Sequence, residues 1–135
     1  MDEKLDKKLV TECPRLFKDR YAPMNVTAMC WGFDCGDGWF KLIYEASKKI
    51  EAIIEKLPEE KKQFYYATQV KEKYGTLRFY MSGETEEIEK IINKAEAKSA
   101  KTCEICGKKG KSREYGTWLS TLCDECDDKH SKGLK

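Results

Sequence analysis

A chain of 135 residues with seven cysteines and a formal net charge of +2 holds one domain, or one body with a small appendage. No apolar run reaches membrane-spanning length and no secretory signal opens the sequence, so the thiols are expected in a reducing compartment, free or bound to metal, with no membrane partner. The nearly balanced charge also argues against a general nucleic-acid binder, which carries a basic excess.

Leu5, Leu9 and Val10 recur at helical spacing among charged residues, which predicts a helix over 3–12. Pro14 ends it, because the residue before a proline avoids the helical region. Residues 15–24 read as a turn followed by extended chain packed on the body. From Met29 to Trp39, three glycines (Gly32, Gly36, Gly38) alternate with Trp31, Phe33 and Trp39, which predicts a loop of special backbone conformation held by aromatic rings. Asp37 is placed to cap the helix that follows. Trp31 and Phe33 are two residues apart and share a face in an extended chain. With Asp34 and Asp37 they form the candidate partner-binding set. Cys13, Cys30 and Cys35 read first as small buried hydrophobes, with a redox or second-metal role as the alternative. A nucleophilic cysteine needs a base, and the single histidine, His130, lies far off in a charged tail expected to face solvent.

The stripe Trp39, Ile43, Ala46, Ile50, Ile53, Ile54 and Leu57 predicts an amphipathic helix over 38–57, stopped by Pro58. Residues 64–82 read as a β-hairpin that turns at Lys73-Tyr74-Gly75, with Leu77, Phe79 and Met81 facing the helices. Lys71, Lys73 and Arg78 lie among Tyr74, Phe79 and Tyr80. They are candidate contacts for nucleic acid or phosphate, or members of a wet sheet face. A second amphipathic helix over 85–99 turns Ile88, Ile91, Ile92 and Ala95 inward.

The pairs Cys103–Cys106 and Cys123–Cys126, sixteen residues apart, have the spacing of a four-thiolate zinc site. Gly107 suits the turn after the first pair, and the insert is long enough for two short strands. One Zn2+ filling a closed tetrahedron of Cys103, Cys106, Cys123 and Cys126 would be structural. Four thiolates around one divalent ion remove about two charges, which leaves the loaded protein near neutral. Lys108, Lys109, Lys111 and Arg113 make the ribbon's tip basic, a further candidate phosphate contact set.

Three stretches carry a resemblance: Cys30 to Trp39, Gln69 to Tyr80, and the closing four-cysteine pattern with Trp118 before it. Together they resemble a family of small uncharacterised proteins of tailed bacteriophages and prophages, over roughly residues 13–128. That likeness implies a phage origin and a host-cytoplasmic setting, not a mechanism; by analogy with other small phage proteins, the expected role is that of a host-takeover or counter-defence factor.

The sequence therefore predicts an α+β fold, with helices packed on a β-hairpin followed by a C-terminal zinc ribbon. Residues 1–100 are the body, 101–130 a ribbon docked on it at the end of the second long helix, and 131–135 a frayed tail. No complete catalytic constellation is visible, and the leading expectation is a non-enzymatic protein that binds a host protein. A nucleic-acid-binding ribbon protein of weak affinity is one alternative. A nucleotide-sequestering or enzymatic protein using the Cys30–Trp39 loop is the other.

Overall fold

The computed structural model describes residues 1–133 and is an α+β fold with a cluster of four cysteines near its C-terminus. Helix α1, Glu3–Glu12, is capped by Asp2, whose carboxylate accepts from the Lys4 N–H at 2.8 Å. The chain then folds back through successive turns, not the extended passage expected for 15–24. Burial explains the difference. Leu16 and Phe17 are both sealed in the core, and the Glu51 carboxylate takes the N–H groups of Leu16 (2.8 Å) and Arg15 (3.3 Å). Arg20 ties this connection down. It forks onto Asp6 at 3.0 and 2.8 Å and donates to the Cys30 carbonyl at 3.1 Å.

A 3-10 turn, Ala28–Trp31, leads through Gly32 (φ 74°) into strand β1, Phe33–Asp34. A second 3-10 turn, Asp37–Trp39, precedes helix α2, Phe40–Glu55. The predicted cap is not formed: no side chain caps either element, and the Asp37 carboxylate instead accepts from the Asp2 N–H at 2.6 Å. Asp37 thus tethers the start of α1 to the loop. A short helix α3, Glu59–Lys62, follows Pro58 and was not anticipated.

Strands β2, Ala67–Lys73, and β3, Thr76–Met81, form the hairpin. Tyr74 and Gly75 both have positive φ, 55° and 83°, as a two-residue type I′ turn requires. The hairpin begins three residues later than expected, because Phe64 lies outside on the surface while Ala67 enters the core. Helix α4, Glu86–Ser99, is capped by the Thr85 hydroxyl, which accepts from Ile88 N–H at 3.1 Å. Strands β4, Lys111–Tyr115, and β5, Trp118–Leu122, pair antiparallel and lead into helix α5, Asp124–Gly133. The expected frayed tail is helical through Gly133; Leu134 and Lys135 lie outside the described residues.

The first sheet has the order β1-β2-β3, with β1 parallel to β2 and β2 antiparallel to β3. Its core face carries Phe33, Val70, Leu77 and Phe79 against Ile43, Ile50 and Ile54 of α2 and Ile88 and Ile92 of α4. Phe17 meets Phe33 edge-on, with ring centroids 4.9 Å apart, a favourable aromatic arrangement. Trp39 is fully buried, as its place on the helix stripe requires.

Candidate metal centre

The first knuckle runs from Cys103 to Gly107, where φ is 82° and the Gly107 N–H closes the turn onto the Cys103 carbonyl at 2.9 Å. Glycine supplies that conformation without the steric cost another residue would bear. The second knuckle is built differently: Cys123 ends the hairpin and Cys126 sits in the first turn of α5, its N–H aimed at the Cys123 sulfur at 3.4 Å. The four sulfur atoms all lie within 4.8 Å of one another, with Cys106 to Cys123 at 3.5 Å. Four thiolates at about 2.3 Å from one ion would stand about 3.8 Å apart at the corners of a tetrahedron, so the donor set fits a single ion. Cys103, Cys123 and Cys126 are buried, and only Cys106 meets solvent. Backbone N–H groups converge on Cys103 and hold its thiol down to about 7, against the opposing and larger single effect of burial.

The body carries a cradle for the first knuckle, and this accounts for the glycines of the Cys35–Trp39 loop. The Gly38 N–H donates to the Glu104 carbonyl at 2.7 Å, and Gly36 N–H to the Glu104 carboxylate at 2.9 Å. The buried Trp39 indole N–H donates to the Thr102 carbonyl at 2.8 Å. A Cβ at Gly38 would fall 2.1 Å from the Cys103 carbonyl oxygen, and one at Gly36 would fall 2.4 Å from that of Glu104. Backbone lies directly on backbone there. A second contact joins the hairpin turn to β5, where the Thr121 hydroxyl donates to the Gly75 carbonyl at 2.6 Å. Docking thus involves far more than the end of α4, since the loop and the hairpin turn both grip the ribbon.

Several predicted contact residues have other work. Arg113 is not free for phosphate. Its guanidinium donates to Asp124 at 2.7 Å, to Asp127 at 3.2 Å and to the Leu122 carbonyl at 3.2 Å, clamping β4 onto α5. Tyr115 donates to the same Asp127 and stacks at a tilt on His130, with ring centroids 4.4 Å apart. His130 is therefore part of the ribbon's packing, not a solvent-facing tail. Lys108 reaches Glu125 at 3.6 Å, while Lys109 and Lys111 are exposed. Lys71 and Arg78 face each other across β2 and β3, with Lys73 two residues further along.

The partner-binding set also divides. Trp31 is 69% exposed, but Phe33 is 3% exposed and belongs to the core. The two-residue period fails because Gly32, at φ 74°, turns the chain between them. Asp34 is exposed, and Asp37 is occupied by Asp2. Sequence reasoning missed three further displayed apolar residues. Tyr21, Met24 and Val26 are 73%, 73% and 66% exposed on the same connection. Cys13 and Cys35 are buried, and burial pushes both thiols up to about 12; Cys30 is half-buried. Among the described residues, the metal-compatible cluster contains none of these three.

Fold and site together define a small α+β protein with a C-terminal two-knuckle ribbon and four convergent thiols. No protein-family model, curated protein or solved structure matches the chain. Among the described residues, no helix is long and apolar enough to cross a membrane.

Proposed function

We propose that Cys103, Cys106, Cys123 and Cys126 hold one structural Zn2+ and that the chain acts as a non-enzymatic module that binds a protein. In the setting its family resemblance implies, that partner is a host protein met in the host cytoplasm by a phage-encoded factor. One observation carries the reading: Tyr21, Met24, Val26 and Trp31 all stand out from a single connection whose ends Arg20 pins to Asp6 and to the Cys30 carbonyl. Tryptophan and tyrosine held in place offer large contact area at little entropic cost. Asp6 neutralises Arg20, and the four displayed side chains are themselves uncharged, a chemistry suited to a protein surface more than to phosphodiesters. Zinc is favoured by four thiolate donors with no open position. Cys13 and Cys35 are buried thiols held in the neutral form, the character of packing groups and not of nucleophiles.

Elemental analysis of the purified protein should give one zinc per chain; a value near zero or two would refute the metal assignment. Cys103→Ser should lose the ion and loosen residues 100–130 while the body stays folded. For the partner, affinity capture from host lysate with quantitative mass spectrometry should enrich one protein. Trp31→Ala should abolish that enrichment, and Trp118→Ala, an equally exposed tryptophan on the ribbon, should retain it. Equal retention by both variants would dismiss the Trp31 face.

A further inference from the structure

The sheet's second face has a different chemistry from its core face. There Lys71 of β2 stands directly opposite Arg78 of β3 and beside Asp34 of β1. Gln69 faces Tyr80, and Lys73 extends the row. Like charges placed opposite one another destabilise a sheet. The ion pairs of the described residues leave Lys71, Lys73 and Arg78 without a carboxylate partner. Arg78 carries a further anomaly, because its Nε–H is shielded from solvent and donates to no acceptor. A buried donor left unpaired costs its full desolvation. Two aromatic rings flank the cations: Tyr80, 42% exposed, and Tyr74, 69% exposed at the turn with the Lys73 ammonium 5.5 Å from its ring centre.

We propose that this face binds single-stranded nucleic acid, with phosphate groups at Arg78, Lys71 and Lys73 and bases stacked on Tyr80 and Tyr74. Three features select this occupant. A guanidinium opposite an ammonium, with no carboxylate to neutralise either, is a receptor for a phosphate group. Lys71 and Lys73 lie two residues apart on one strand, about 7 Å, so the positive charge runs in a row that a charged backbone can follow. The face is open, not enclosed, and its rings can stack any base of a strand but none that is paired inside a duplex. Asp34 borders the row on β1 and confines the strand to the β2–β3 side. The proposal uses neither Trp31 nor the four cysteines, so it stands whether or not either of those assignments holds.

The test is fluorescence anisotropy with a short labelled oligothymidylate and the zinc-loaded full chain. Three phosphate contacts on a single strand predict a slope of about −2 in log K against log salt, a loss of roughly twentyfold between 50 and 200 mM. Arg78→Gln should reduce the slope by about 0.7 and the affinity at 50 mM salt by roughly eightfold, on extrapolation of the counterion effect from 1 M. Tyr80→Ala should weaken binding by about fivefold or more at unchanged slope. Lys7→Gln, an equal change of charge on α1, should have no effect. Circular dichroism checks that each variant is folded, and Lys71→Gln replaces Arg78→Gln if the latter is not. No binding at 50 mM salt would overturn the proposal. So would affinity unchanged by Arg78→Gln and Lys71→Gln, an equal loss from Lys7→Gln, or equally tight binding of duplex. Displacement of the oligomer by thymidine monophosphate at the same nucleotide concentration would overturn it in favour of a single-phosphate site.

Discussion

Replacing Gly38 by alanine tests the cradle directly. The new Cβ would lie 2.1 Å from the Cys103 carbonyl oxygen and 2.6 Å from both Glu104 C and Gly107 N. All three are backbone atoms, so no side chain can swing aside. Gly38 lies outside the positive-φ set, and the substitution therefore acts through contact alone. Relief requires the knuckle to back away, which breaks the Gly38 N–H bond to Glu104 and strains the bonds from Gly36 and the Trp39 indole. Three hydrogen bonds at about 1 kcal/mol each, with up to about 2 kcal/mol more if the buried indole N–H is left unpaired, give about 3–5 kcal/mol. In urea, where unfolding slopes run at roughly 1–3 kcal/mol per molar, the midpoint should fall by about 2 M, read by circular dichroism. Gly116→Ala is the matched control. Nothing lies within 4 Å of its Cβ, but its φ is +66°, so it should cost only about 1 kcal/mol through backbone conformation. A Gly38→Ala midpoint equal to or above that of Gly116→Ala would refute the backbone-on-backbone account.

Trp39→Ala should cost about 3–5 kcal/mol, since the ring is fully buried, whereas Trp31→Ala should stay within about 0.5 kcal/mol; thermal melts compare them. Asp6→Ala leaves the Arg20 guanidinium, only 18% exposed, without its carboxylate and should cost about 1–3 kcal/mol, with faster proteolysis of residues 13–32. Glu51 sets a pH dependence: burial pushes its carboxyl above the ordinary range, against the opposing N–H bonds from Leu16 and Arg15. A carboxyl raised in the folded state binds its proton better there than in the unfolded chain. Its contribution is therefore full below the ordinary carboxylate value and is lost as pH rises through the raised one. Urea titrations from pH 4 upward should show that decline in the wild type and a flatter profile in Glu51→Gln; parallel profiles would contradict the assignment.

The long helices were legible because their stripes repeat over several turns, and the thiol cluster because its double spacing carries its own geometry. The hairpin was legible from the alternation of Leu77, Arg78, Phe79 and Tyr80, and its turn from Tyr74-Gly75. Strand β1 was not, since two residues show no period and its partner, Val70, lies far along the chain. The cost of Gly36 and Gly38 was visible in the sequence, but their reason was not, because the backbone they approach lies more than sixty residues away. Arg113 looked like a phosphate contact because a run of basic residues reads the same whatever opposes it. Only the folded ribbon brings Asp124 and Asp127 to its guanidinium. The exposure of Tyr21, Met24 and Val26 escaped for the converse reason: composition alone cannot distinguish an apolar residue that packs from one that is displayed.

The join between α4 and the first knuckle bears on how copies of the protein keep apart. Only Ala100, Lys101 and Thr102 separate them. Even these are folded back, with the Lys101 N–H and the Thr102 hydroxyl both donating to the Lys98 carbonyl at 3.0 and 2.8 Å. Three residues extend at most about 10 Å. A ribbon on so short a tether meets its own cradle at an effective concentration of millimolar order or more, far above any concentration of a second copy. Exchange of ribbons between chains would have to break these bonds to Lys98 and outcompete that local concentration, so the tether biases the protein against domain-swapped dimers, a hazard that hinge loops otherwise carry.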